Sequence, residues 1–271
     1  MKKKLHTPEG VRDIYNVECG KKLALESRLK KVFHLYGYHD IQTPTIEYFD
    51  VFREEIGTTP ANDLYKFFDR EGNTLVLRPD FTPSVSRACA TYFNPEHQVI
   101  TLSYTGNTFI NNSSFRGRLK ETTQMGVERM GDDSPEADAE ILAMTVECLL
   151  ATGLTEFQVS VGQVDYYKAI FAQTGLSQEE EEELRELISQ KNYFGVEEML
   201  SAKELPEQLK QALLSMPKLF GGISQIHEAA SLTDNDKALS AIYRLEKLYK
   251  ILASYGLEKY ITFDLGMLGK F

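Results

Sequence analysis

Four polar residues in the first half of the chain are its best candidates for ligand chemistry. Asp80 and Thr82 lie close together, and Gln124 and Glu128 lie about forty residues further on. Carboxylate and hydroxyl oxygens can accept hydrogen bonds from an ammonium group or an imidazole N–H. The same groups could instead satisfy one another in a buried network that has only a structural role. Both interpretations stay open for these residues taken by themselves.

Other kinds of site have little support in the sequence. It shows no nucleophile beside a base, no metal-ligand spacing and no glycine-rich phosphate loop. The histidines are scattered without partners at helical or turn spacings: His6, His34, His39, His97 and His227. We therefore predict no catalytic residue, no metal and no cofactor.

Bulk properties narrow the class of protein. Cys19, Cys89 and Cys148 are odd in number and far apart, which argues against a disulfide framework and a zinc site and favours a reducing cytoplasm. Apolar runs are too short for a membrane span, and no apolar stretch follows the basic start. The formal net charge is −10, and no dense basic and aromatic patch stands out. We therefore predict a cytoplasmic protein and do not expect it to bind tRNA.

Hydrophobic periodicity predicts alternating helices and strands in the first 163 residues. The predicted elements are a helix over 17–36 with Gly37 as its C-cap, a strand over 38–44, a hairpin of 64–68 and 74–77, a helix over 81–92, strands over 99–104, 125–130 and 156–161, and a helix from Ser134 to about Gly153. Residues 111–120 are polar and predict a loop.

Strand patterns disappear after residue 164, and helices dominate to about residue 256. Ser177 precedes an acidic first turn, which is typical of a helix start. A strand pattern returns at 260–265. We predict an α+β fold with an antiparallel sheet core over 1–163, a helical insertion over 164–257 and a return strand of the core over 258–271.

Four segments in order resemble the class II histidyl-tRNA synthetase family. They are residues 8–13 (PEGVRD), residues 37–44, residues 77–82 (LRPDFT) and the stretch from Tyr104 to Glu128, which has the length and end-points of the family's motif 2. The resemblance implies a class II synthetase-like core. It also implies a homodimer formed through the helix over 17–36 and the strand that ends at Pro44.

Departures from the family pattern bear on function. The family places an arginine after the phenylalanine of the first motif 2 strand, where it holds the ATP α-phosphate and the amino-acid carboxylate. Here Ile110 follows Phe109, and Asn112 and Ser113 are neutral. Gly269 aligns with the position of a second arginine. Since neither Ile110 nor Gly269 can stabilise developing negative charge, we expect no aminoacylation.

The amino-acid side of the pocket is retained. Asp80, Thr82, Gln124 and Glu128 match the positions that contact substrate histidine in the family, with Asp80 in place of the usual glutamate. The resemblance therefore implies histidine as a ligand.

A histidine pocket without adenylation residues resembles the regulatory subunits of ATP phosphoribosyltransferase, a glycosyltransferase. In that family the subunit acts with a short-form catalytic subunit, and it is required for the first step of histidine biosynthesis and its feedback control by histidine. The alternative is a catalytic-domain fragment of a histidyl-tRNA synthetase, which Ile110 and Gly269 disfavour.

Overall fold

The computed structural model describes residues 6–52, 59–94, 98–112 and 117–268. The chain divides into two units, Met1–Asp132 and Asp133–Phe271. Both contain helices and strands, as the predicted α+β class requires. The predicted division at residues 163 and 257 stays a prediction.

The first unit has two helices and two three-stranded sheets in its described part. Its elements are α1 (Asn16–Leu35), β1 (His39–Asp40), β2 (Ile46–Tyr48), β3 (Lys66–Phe68), β4 (Thr74–Leu77), α2 (Thr82–Tyr92), β5 (Ile100–Phe109) and β6 (Glu121–Met130). One sheet has the order β1-β5-β6, with β1 parallel to β5 and β5 antiparallel to β6. The other is antiparallel, with the order β2-β4-β3, and it contains the predicted hairpin.

The β5–β6 hairpin is longer than the sequence predicts. Its ten residue pairs run from Ile100 opposite Met130 to Phe109 opposite Glu121. Polar side chains extend the ladder beyond the apolar part, because the Asn107 amide donates to the Glu121 carboxylate (2.7 Å) and the hydroxyls of Thr108 and Thr122 lie 3.1 Å apart. The apolar alternation that predicts a strand is missing from this part of the hairpin, because cross-strand hydrogen bonds take the place of apolar pairs.

Helix α1 ends as predicted. Gly37 adopts a left-handed conformation (φ +80°), its N–H donates to the His34 carbonyl, and the Tyr38 N–H donates to the Phe33 carbonyl. This is the Schellman arrangement, which glycine permits at low cost.

The predicted strand over 38–44 is mostly wrong, since only His39 and Asp40 pair with β5. Further along, the carbonyls of Thr43 and Pro44 accept hydrogen bonds from the Arg78 side chain instead of from a neighbouring strand.

The second unit is mainly helical. Its elements are α3 (Pro135–Thr152), β7 (Val159–Val161), α4 (Val164–Phe171), α5 (Gln178–Ser189), α6 (Tyr193–Ser201), α7 (Glu207–Ser215), β8 (Phe220–Gly221), α8 (Ile223–Ser231), α9 (Asp236–Ser254) and β9 (Ile261–Asp264). Ser134 caps α3 by accepting from the Ala137 N–H, and Ser177 and Glu180 form a capping box on α5, as the helix-start signals indicate.

The expectation that strands vanish between residues 164 and 256 is wrong at one place. Phe220 and Gly221 form β8, which pairs antiparallel with β9, and β7 pairs with β9 in parallel. Gly221 has φ +151°, a conformation that favours glycine, and the two-residue strand is too short to give a periodic pattern. None of the described helices is long and apolar enough to cross a membrane. A cytoplasmic location stays a prediction.

A substitution at Gly126 would test how closely the hairpin is packed. A Cβ at this position would come within 2.5 Å of the Tyr104 ring carbon Cζ, and Tyr104 is buried. We expect Gly126→Ala to lower the free energy of unfolding by about 1–3 kcal/mol in a urea titration, because the ring must shift. Gly222→Ala is the control, since Gly222 is exposed and nothing lies within 4 Å of a Cβ built there, and its effect should be clearly smaller. Equal effects of the two substitutions would contradict this packing.

A candidate ligand site on the β5–β6 hairpin

One face of the hairpin carries the second pair of predicted site residues. Gln124, Gly126 and Glu128 alternate along β6, so they lie on the same face of the sheet. Their partners across the ladder are Gly106, Tyr104 and Leu102 in that order. Gly106 leaves room over this face for Arg78 and Phe81, and Gly126 leaves room for the ring of Tyr104.

Asp80 and Thr82, at the start of α2, contact the polar side chains of this face. The Thr82 hydroxyl donates to Glu128 Oε1 at 2.7 Å. The Gln124 amide donates to Asp80 Oδ1 at 3.2 Å, and the Phe81 N–H donates to the same oxygen at 2.7 Å. The structure therefore brings together all four residues that the sequence singled out.

Each carboxylate has one occupied and one open oxygen. Asp80 Oδ1 accepts from Phe81 and Gln124, and Glu128 Oε1 accepts from Thr82 and, at 3.5 Å, from the Tyr104 hydroxyl. Among the described residues, none donates to Asp80 Oδ2 or Glu128 Oε2. These two oxygens are available to a ligand that carries N–H donors.

The two carboxylates also repel each other. Burial raises the pKa of Glu128, and the Asp80 carboxylate raises it further, while hydrogen bonds from Thr82 and Tyr104 act in the opposite direction. These surroundings therefore disfavour the ionised form of Glu128. A cation bound between the carboxylates would reverse that, because an opposite charge favours ionisation.

Tyr104 lies under the site as part of a stack. Its ring is parallel to that of Phe81, with the centroids 4.4 Å apart and an interplanar angle of 7°. The guanidinium carbon of Arg78 lies 3.9 Å from the centroid of the Phe81 ring. Burial raises the pKa of Tyr104, with the charges of Glu128 and Asp80 adding to the effect, so its hydroxyl stays a neutral donor.

Arg78 fixes the position of this stack. Its side chain is buried and donates to three backbone carbonyls, those of Thr43 (2.8 Å), Asn107 (2.9 Å) and Pro44 (3.3 Å). Gly106 is required beside it, because a Cβ there would lie 2.6 Å from Arg78 Nη2.

A second arginine holds α2 itself. Arg87, in the middle of the helix, donates through two nitrogens to the buried carboxylate of Glu47 on β2, at 3.0 and 2.8 Å. This fork geometry is specific in direction, so it sets the helix against the β2-β4-β3 sheet and with it the position of Thr82.

A cavity of about 560 Å³ lies beside the site. Thr122, two residues before Gln124 on the same face of β6, lines it together with Ile110, Asn112 and Arg118. Ile110 therefore contributes an apolar surface to this cavity. Ser113 and Gly269, the other departures from the family pattern, lie outside the described residues. In the described part of the chain no group of three or more His, Cys, Asp or Glu side chains is placed to hold a metal ion.

Sequence reasoning missed the residues that support the site. The sequence places Arg78 in a family motif, Phe81 at the start of a helix and Tyr104 in a strand. It predicts no supporting role for these three residues. A glycine inside a strand marks a close approach of another group, so Gly106 and Gly126 were the available signal.

Comparison with known proteins identifies the family of the chain. A family model described as Histidyl-tRNA synthetase matches residues 10–271. The ATP phosphoribosyltransferase regulatory subunit of Acetivibrio thermocellus is 42% identical over 264 residues, covering 97% of this chain and 63% of the relative. The chain thus spans less than two thirds of that relative's length.

Solved structures give the same relationship. A Bacillus halodurans protein, described as an ATP phosphoribosyltransferase regulatory subunit/histidyl-tRNA synthetase, superposes with a TM-score of 0.87 at 31% identity, over 98% of this chain and 69% of that one. Histidyl-tRNA synthetase from Nostoc shares the fold, with a TM-score of 0.79 at 17% identity over 99% of this chain and 63% of that one. The chain therefore belongs to the histidyl-tRNA synthetase family, with its class II fold, in the group that includes the ATP phosphoribosyltransferase regulatory subunits.

Proposed function

We propose that the site on the β5–β6 hairpin binds free histidine through its cationic N–H groups. The observation that carries this proposal is the pair of open carboxylate oxygens, Asp80 Oδ2 and Glu128 Oε2, on groups whose other oxygens are already held. Charged hydrogen bonds to two such oxygens contribute about 1.5–3 kcal/mol each. Thr82 and Gln124 orient the carboxylates.

We propose further that the protein is a non-catalytic regulatory subunit of ATP phosphoribosyltransferase. In this role it acts with a short-form catalytic subunit in the first step of histidine biosynthesis and transmits feedback control by histidine. Support comes from the relatives that carry this name and from Ile110, which provides no charge where an adenylating enzyme needs a cation. Feedback requires that histidine bind one state of the complex better than the other.

We propose a homodimer as the assembly of this subunit. Helix α1 buries only Val32 and Phe33 in the single chain. Val17 and Leu35 remain exposed (71% and 82%), and they lie on the same side of the helix because about five full turns separate them. An isologous contact between two copies would cover this side.

The first prediction concerns Glu128. At neutral pH, Glu128→Gln should weaken histidine binding about tenfold or more in calorimetry, because a charged hydrogen bond is lost. Without histidine, the variant should melt at an equal or higher temperature than the parent. The pKa of Glu128 is raised on folding, so its ionisation costs stability as pH rises through that pKa.

Glu121→Gln is the matched control for this substitution. Glu121 lies on the same strand, at an odd-numbered position whose side chain points to the opposite face, and glutamine can still accept from Asn107. It should bind histidine like the parent. If Glu128→Gln also binds like the parent, the four polar residues are structural.

The second prediction separates the regulatory subunit from the synthetase. We expect no histidine-dependent ATP–pyrophosphate exchange, since one missing donor at a charge-developing site costs about 3–4 kcal/mol in the barrier. Exchange well above background, with a histidyl-tRNA synthetase as positive control, would favour the catalytic-domain alternative.

The third prediction concerns assembly. Light scattering should give the mass of a dimer for the chain alone and a larger complex after addition of a short-form catalytic subunit. Val17→Asp should yield a monomer, because it puts a charge on the exposed side of α1. Phe194→Asp, at an apolar side chain of similar exposure on α6 (75% against 71%), should leave the dimer intact. A monomeric parent that ignores the catalytic subunit would exclude this assembly.

A further inference from the structure

We infer that Tyr104 is a positioning residue for Glu128: its hydroxyl holds Oε1 of that carboxylate so that Oε2 is presented to the ligand. This inference rests on the proposed histidine site and adds a residue to it. Tyr104 would not need to touch the ligand, because its effect passes through the carboxylate.

The hydroxyl is placed by the packing of its ring. Tyr104 is 6% exposed, its hydroxyl oxygen lies 3.5 Å from Glu128 Oε1, and its ring lies against Phe81 on one side. Gly126, directly across the ladder, has no side chain, and the ring occupies the space that a Cβ would fill. A side chain enclosed in this way has little freedom to move its polar end.

The stack extends from Tyr104 to a fixed anchor. Phe81 lies between the Tyr104 ring and the Arg78 guanidinium, and Arg78 is bound to the carbonyls of Thr43, Pro44 and Asn107. The position of the hydroxyl is therefore set by backbone atoms on either side of the site. That is the support a binding constellation needs to hold its geometry.

The surroundings of Glu128 determine what the hydroxyl does. The groups around the carboxylate are Asp80 before α2, Thr82 and Cys89 on α2, and Tyr104 on β5. Of these, Thr82 and Tyr104 donate hydrogen bonds to it. Each donor favours the ionised carboxylate, whereas burial and Asp80 disfavour it. Tyr104 thus opposes the two effects that raise the pKa of Glu128.

The test removes only the hydroxyl. Tyr104→Phe keeps the ring and the stack, and it should weaken histidine binding about three- to tenfold at neutral pH. The pH at which binding is lost on acidification should move upward, because Glu128 has lost a donor. Tyr166→Phe is the control, since Tyr166 is also buried and its hydroxyl also lies 3.5 Å from an acceptor, the Ala229 carbonyl in the second unit.

A double substitution distinguishes positioning from direct contact or general loosening. In a Glu128→Gln background the effect of Tyr104→Phe on binding should largely disappear, because its target is already changed. An undiminished effect in that background would overturn the inference, as would a Tyr104→Phe protein whose affinity and pH profile match those of Tyr166→Phe.

A measurement without ligand keeps the inference separate from the proposed function. Carbon-13 NMR of the Glu128 carboxyl should report a higher pKa in Tyr104→Phe than in the parent and no change in Tyr166→Phe. If the parent does not bind histidine, the proposed function fails, and the carboxyl titration still decides the role of Tyr104. An unchanged pKa in Tyr104→Phe would exclude that role.

Discussion

The buried guanidinium of Arg78 is the contact on which the candidate site depends. A charged group removed from water is tolerated only if its donors find partners, and here three carbonyls from two distant segments provide them. Among the described residues no carboxylate pairs with it, although the charge of Glu47 acts on its pKa against the effect of burial. The same side chain covers the face of Phe81, so one residue links the loop before β2, the strand β5 and the start of α2.

Close to Arg78, the first unit holds two carboxylates whose repulsion is unfavourable. A cationic ligand bound there would relieve this repulsion. Glu128 would be easier to accommodate as a neutral amide, because it is half-buried and the charge of Asp80 disfavours its ionised form. Such like-charge pairs are typical of functional sites, since a bound cation relieves the repulsion. Hydroxyl and amide donors limit the cost by holding one oxygen of each carboxylate.

The sequence predicts some parts of this structure well because their signals are local. The ends of α1 and α3 follow from Gly37, Ser134 and Gly153, since each cap is decided within a few residues. The grouping of Asp80 with Gln124 was available only through family resemblance, because the hydrogen bond between their side chains joins residues 44 positions apart in the sequence. The supporting role of Tyr104 could not be predicted for the same reason, because its partner Gly126 is identified only once the strands are paired.

The two-residue strand β8 has a consequence for how the second unit can be altered. It lies between α7 and α8 and covers one edge of β9, while β7 covers the other. Lys191, after α5, adds an ion pair to Asp264 at the end of β9 (3.1 Å). Removal of residues 164–257, the mainly helical segment that contains β8, would therefore leave backbone N–H and C=O groups on one edge of β9 unpaired. Such an edge is a template for self-association.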